Sequence, residues 1–254
     1  MSLAKLAISI SFLITGAFAQ ECSVASLTGA YGYTLSGTVT NAENRPITNS
    51  QVGRIVFDGK GGFTGVGAVT SGAKVEVGEF TGQIAIGADC TATGKTVSSG
   101  NSTDFDLVVV NAGSDFALVL RASDATLSGN GTKVEGQGAC TPSILTGTYG
   151  YQGDGVVAMD GKAVSTAEIG ILTFDGKGAF SGTSSLISAG QSTRQSFTGT
   201  YELTDICFAA AVYKVGDVAY QMNFMVTGGG NQILYSELAS GYVATGAGTR
   251  TFPK

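Results

Sequence analysis

Histidine and tryptophan are absent from the chain, proline occurs only three times, and charged residues make up 13% of it. Each absence closes off chemistry. Without histidine there is no Ser–His–Asp or Cys–His catalysis, and the commonest zinc sites are lost with it. Lysine-based or carboxylate-pair chemistry stays open in principle. The formal charge of −5 comes with no basic stripe, so phosphate backbones and anionic membrane surfaces are poor partners, and no nucleic-acid binding is expected. No Cys-x-x-Cys spacing and no Asp-x-Asp-x-Asp-Gly loop occurs, so no metal and no cofactor is expected. Gly129-Asn130-Gly131 and Gly246-Ala247-Gly248 lie in strand contexts with no following helix, which excludes a dinucleotide reading.

What is present begins with a leader. Lys5 precedes an apolar stretch from Leu6 to Leu13, and Ala17-Phe18-Ala19 fits the small-x-small cleavage rule, so residues 1–19 read as a secretory signal and Gln20 as the first mature residue. An uncleaved anchor is the alternative, but the apolar stretch is shorter than the ~20 residues a spanning helix needs. Ala19-Gln20-Glu21 before Cys22 does not fit a lipid-anchor motif. Removing Lys5 moves the formal charge to −6. No second run is long enough for a membrane helix, so a secreted product, extracellular or periplasmic, is expected.

Thirty-nine glycines with three prolines point to many tight turns, and the wealth of Val, Ile, Phe, Tyr and Thr to strands. The chain repeats itself at a spacing of 117–118 residues. Gly29-Ala30-Tyr31-Gly32-Tyr33 recurs as Gly147-Thr148-Tyr149-Gly150-Tyr151, and Phe57-Asp58-Gly59-Lys60-Gly61-Gly62-Phe63-Thr64-Gly65 as Phe174-Asp175-Gly176-Lys177-Gly178-Ala179-Phe180-Ser181-Gly182. Phe80-Thr81-Gly82 and the segment Ser128–Lys133 return in the same order as Phe197-Thr198-Gly199 and Thr245–Arg250. The domains are therefore expected at residues 20–138 and 139–254, each large enough for its own core. The short boundary near Gly138 implies packed copies rather than freely tethered ones.

The cysteines follow the same repeat. Four allow three pairings, and a duplicated domain keeps its bridge inside each copy, giving Cys22–Cys90 and Cys140–Cys207. Export makes oxidation the default.

Period-2 alternation marks the strands. Phe80, Gly82, Ile84 and Ile86 alternate with polar neighbours, as do Phe197, Gly199, Tyr201 and Leu203. Asp58-Gly59 and Asp175-Gly176, flanked by apolar runs, predict hairpins. Seven or eight short strands per copy and no helix give an all-β protein of two tandem antiparallel meander β-barrels, with a two-sheet sandwich as the alternative.

Cys22, then Leu27-Thr28-Gly29-Ala30-Tyr31 and the Phe-Asp-Gly hairpin, resemble a repeated domain of uncharacterised secreted proteins from soil bacteria. The resemblance covers both copies. More distantly, the same words are similar to the openings of avidin- and lipocalin-type barrels, where Tyr31 and Tyr149 stand in place of a tryptophan. With no tryptophan to wall a pocket, biotin binding does not carry over. Allene oxide cyclase and dirigent barrels share the gross shape, but no motif transfers their chemistry.

Candidate site residues are few. Asp58 and Asp175 are expected to form turns rather than ligate calcium, Lys60 and Lys177 to be solvated in those turns, and Asp89 and Asp205 to cap a turn beside each disulfide. Tyr31 and Tyr33 share one strand face, as do Tyr149 and Tyr151. They face either a ligand in a hollow barrel or one another in a filled floor. Asn101 and Asn130 fit the N-glycosylation pattern. A secreted module binding a small apolar or amphipathic ligand is the first functional expectation. A structural protein contacting an envelope polymer is the second, and an enzyme comes last. The sequence leaves the oligomeric state open.

Overall fold

The computed structural model describes residues 21–40, 46–72, 74–134, 139–159, 162–239 and 241–252. The leader at 1–19 and the junction around Gln137 and Gly138 lie outside the described residues.

Two closed barrels of eight antiparallel strands follow each other along the chain. The first runs through β1 (Thr28–Thr40), β2 (Pro46–Asp58), β3 (Gly62–Ser71), β4 (Lys74–Ile86), β5 (Thr91–Ser98), β6 (Asn101–Val110), β7 (Asp115–Ala122) and β8 (Ala125–Lys133). The second runs through β9 (Thr146–Met159), β10 (Lys162–Asp175), β11 (Ala179–Ser188), β12 (Gln191–Leu203), β13 (Phe208–Val215), β14 (Val218–Thr227), β15 (Gln232–Ala239) and β16 (Tyr242–Arg250). Within each barrel every strand pairs with its neighbours in sequence, and β1 with β8 and β9 with β16 complete each ring. Closure leaves no open sheet edge, which settles barrel against sandwich. No helix among the described residues is long and apolar enough to cross a membrane.

The Asp-Gly turns form as their chemistry dictates. Asp58 Oδ1 accepts the Lys60 and Gly62 amides at 2.7 and 2.9 Å, and Asp175 Oδ1 accepts those of Lys177 and Ala179 at the same distances. These bonds hold both carboxyls below their ordinary pKa. Gly59 and Gly176 supply the positive φ (70° and 73°) that the turns need.

One end of each barrel is plugged. Short 3-10 turns at Val24–Ser26 and Pro142–Leu145 lead into the first strand and sink Leu27 and Leu145 completely. The disulfides Cys22–Cys90 and Cys140–Cys207 fasten these segments to the turns before β5 and β13. Asp89 caps the first of those turns, accepting from the Thr91 amide and hydroxyl at 3.1 and 2.7 Å. At the second, the Asp205 carbonyl accepts the Cys140 amide. Two disulfides per chain mark an extracytoplasmic protein.

The barrels pack wall to wall. Val52 and Ala68, on the outer face of β2 and β3, are fully buried and join the apolar cluster of the second barrel. Ser50 and Ser236 share a hydrogen bond of 2.7 Å across the contact. Gly32 faces Thr227 and Met225 with no room for a side chain.

Candidate functional site

The two lumens differ. The first barrel encloses a cavity of about 350 Å³ above its floor. Its deep wall is apolar, with rings from Phe57, Phe63, Phe80, Phe105 and Phe116. Near the mouth stand Gln51, Glu76, Thr96, Ser98 and Thr103. The mouth follows from register. β4 pairs with β5 only over Thr81–Ile86, so the stretch from Lys74 to Phe80 extends past the shorter strand, and Glu76, Val77 and Gly78 border the opening opposite Ser98 and Ser99.

The second lumen is filled. Its void is about 10 Å³, the size of one water, among Tyr151, Tyr213, Tyr235 and Glu237. The paired registers of the two barrels show which substitutions close it. Tyr213 pairs with Gly199 as Thr96 pairs with Gly82, and Tyr220 stands where Thr103 does. Tyr235 pairs with Phe224 as Leu118 does with Leu107, and Tyr242 replaces Ala125. Tyr213 and Tyr220 stack at 4.9 Å, and Tyr242 meets Tyr220 edge-on at 5.9 Å. Burial raises the pKa of all four phenols, Tyr235 and Tyr213 most, so they stay neutral hydroxyls.

The four tyrosines singled out in the sequence separate into two levels. Tyr31 and Tyr149 are fully buried at the plugged ends and line neither cavity. Tyr31 donates to the Gly113 carbonyl and packs edge-on against Phe57 at 5.5 Å; Tyr149 donates to the Gly230 carbonyl and meets Phe174 likewise. The Arg250 guanidinium braces the second floor, its Nη2 donating to Ile144 O, Tyr149 Oη and Gly230 O at 2.6–2.7 Å. Tyr33 and Tyr151 sit one inward step higher. Tyr33 lines the large cavity, and burial raises its pKa. Tyr151 lines the small void and donates to Glu168 Oε1 at 2.9 Å.

Two residues passed unnoticed in the sequence. Glu168 and Glu237 point into the second lumen, 8% and 5% exposed. Burial, then the neighbouring Glu168 charge, pushes the Glu237 carboxyl up to about 8, against a hydrogen bond from Tyr213. Their signal was parity: each occupies the inward phase of its strand, in line with Gly170 and Leu172 and with Ile233 and Tyr235. The first copy has Gln51 and Leu120 at those places.

No protein-family model matches the sequence, and no curated protein does. Among solved structures, an AttH-type protein of Nitrosomonas europaea aligns with 99% of this chain and 100% of its own, at 7% identity and a TM-score of 0.29. The isotype 1 transferrin binding protein B of serogroup B Neisseria meningitidis aligns over 89% of this chain and 75% of its own, at 10% identity and a TM-score of 0.36. Both superpositions are loose.

Proposed function

We propose that this is an exported binding protein whose first barrel takes up one small apolar or amphipathic molecule. The observation that carries the reading is the cavity of about 350 Å³ in one barrel of a pair whose other member is filled. A volume of that size falls at the lower end for small-molecule pockets. The aromatic depth suits a hydrocarbon or ring system, and the hydroxyls, amide and carboxylate at the mouth suit a polar head. Tyr33 is the ligand contact among the tyrosines; Tyr31, Tyr149 and Tyr151 serve floor and filling. The leader at 1–19 and the resemblance to exported proteins of soil bacteria favour secretion.

Native mass spectrometry of the chain recovered from its host's secretome, paired with titration of an environment-sensitive apolar dye, tests this. One adduct per chain and dye binding are expected. In a Thr96→Tyr/Leu118→Tyr variant, which transplants two of the filling residues, both should fall at least tenfold, or ~1.4 kcal/mol. A clean apo mass with no dye uptake by the parent protein counts against a carrier.

A second reading has its own observation. Val108 and Val119 of the first barrel and Ile169 and Ile187 of the second, all well exposed, line one cleft between the barrels. Such a patch favours contact with an envelope polymer or another protein. Sedimentation of the protein with purified envelope material, compared between parent and Ile169→Ser/Ile187→Ser, tests it; equal sedimentation sets it aside.

A further inference from the structure

The cavity of the first barrel has a single charge in its wall. Among the described residues that line it, Glu76 alone carries a formal charge, and none is lysine or arginine. Glu76 holds an inward position of β4, in phase with Gly78 and Phe80, and stands near the mouth at the level of Val69 and Gln51. The ion pairs among the described residues, Lys95–Asp104 and Arg121–Asp106, do not involve it. Lys74, the next residue outward in the same phase, is exposed and lies outside the lining.

One inward step deeper, a row runs from Tyr33 through Gly53 and Gly67 to Gly78, each the register partner of the next. The Tyr33 ring lies over Gly53 and its hydroxyl over Gly67, where neither position has room for a side chain. The phenol reaches no further, since a methyl group on Gly78 would meet no atom within 4 Å. Open space over Gly78 therefore separates the Tyr33 hydroxyl from Glu76, its neighbour in phase on β4. The second barrel fills the same row with Tyr151, Gly170, Ser184 and Gln195, and the Gln195 amide donates to Glu168 at 3.2 Å. Thr193 stands there in the place of Glu76.

We propose that the first barrel selects a cationic amphiphile: an amine, protonated at neutral pH, whose hydrocarbon or ring system fills the aromatic depth and whose ammonium settles over Gly78 between the Tyr33 hydroxyl and the Glu76 carboxylate. The inference rests on the carrier reading and names its ligand class. An alkylammonium offers three donors and no acceptor, and the phenol oxygen and the carboxylate both accept. The rings of Tyr33 and Phe80, which meet edge-on at 5.9 Å beside this space, add attraction for a cation. A carboxylate head would bring like charges together at the mouth, with no lysine or arginine in the lining to answer it. An alcohol head loses the attraction without meeting the repulsion. Tail burial is common to all three, so the head alone sets the order ammonium, alcohol, carboxylate.

The full-length mature protein, at neutral pH and low ionic strength, is loaded with the environment-sensitive apolar dye, which is then displaced by octylammonium, octanol or octanoate, three probes with one tail. Octylammonium should displace the dye at a concentration at least about tenfold below that of octanoate, with octanol between them, because the same carboxylate attracts one head and repels the other. In Glu76→Gln, dye and octanol binding should match the parent while the ratio of ammonium to carboxylate falls to about twofold or less. Glu76→Lys should reverse the order. Glu76 is exposed, so both variants should fold as the parent does. A parent protein that takes up no dye sinks the carrier reading and this one with it. Dye uptake with octanoate displacing as well as octylammonium overturns the amine class alone and leaves the carrier standing. A preference for the ammonium that survives undiminished in Glu76→Gln also overturns it, by assigning the preference to the net negative charge of the chain.

Discussion

The two barrels share strand order, register, disulfide, plugged floor and Asp-Gly turn, yet one encloses about 350 Å³ and the other about 10 Å³. Both kept what builds the ring: the Tyr31 and Tyr149 anchors, the inward glycines that let rings lie flat, and the cysteines. The difference sits at a handful of inward positions above the floor, where the first barrel has Thr96, Thr103, Leu118 and Ala125 and the second has Tyr213, Tyr220, Tyr235 and Tyr242. Seven of the nine tyrosines belong to the second copy. A closed barrel thus tolerates wide change in its lumen, because the wall is held by backbone pairing and only volume and polarity are decided inside.

The sharpest way to break the comparison is to exchange the lumens. Hollowing the second barrel with Tyr213→Thr/Tyr235→Leu removes two large buried side chains. Each large-to-small change of this kind costs ~2–4 kcal/mol, raised by the loss of the stack between Tyr213 and Tyr220. Urea unfolding should show the second transition destabilised and the first unmoved. If the variant stays folded, it should gain a second apolar dye site, and a folded variant without one would show that cavity volume alone does not make a pocket.

Disulfide removal tests what the barrels share. Cys22→Ala/Cys90→Ala and Cys140→Ala/Cys207→Ala each open a loop, with sequence separations of 68 and 67 residues. The chain-entropy model gives ~4 kcal/mol for either, so the two variants should lose equal stability in denaturant melts. Unequal losses would mean that the floor of the second barrel, braced by Arg250 where the first has Lys133 over the Tyr31 ring at 5.9 Å, carries part of the load.

Much of this was legible beforehand, and the reason is physical. Alternation in Phe80–Ile86 and Phe197–Leu203, the Asp-Gly pairs and the repeat-matched cysteines are local signals, and they define strands, turns and bridges. Closure of the ring followed from the lack of any crossover helix. The hollow-or-filled question is non-local, since residues from β13, β14, β15 and β16 must meet in one plane, and no single strand announces that. Aligning the copies does expose it, because tyrosine stands opposite threonine, leucine or alanine at inward phase. Glu168 and Glu237 were missed because a charged residue in a strand reads as solvated until its phase is set against its neighbours.

Glu237 also separates the barrels by pH, with the smallest predicted effect on stability. Its folded carboxyl titrates at about 8, above the ordinary value of 4.5, because of burial and Glu168. A raised carboxyl pKa means that the folded chain holds its proton between those two values while the unfolded chain has released it. Stability from this group is then complete below pH ~4.5, declines as pH rises through the window, and levels off above pH ~8. The groups around it are Tyr151, Tyr213, Tyr220, Tyr235 and Tyr242, whose phenols are all held above 10, together with Glu168. Tyrosine ionisation therefore does not obscure the window. The second barrel should lose ~2–3 kcal/mol of stability from pH 5 to pH 9, an amount kept below the full shift because water reaches the partly exposed Tyr220 side. Glu237→Gln should flatten that slope and exceed the parent in stability at pH 9. The first barrel, with Leu120 at this position, should show no such slope in either protein. A slope that persists in Glu237→Gln would show that Glu237 does not carry it.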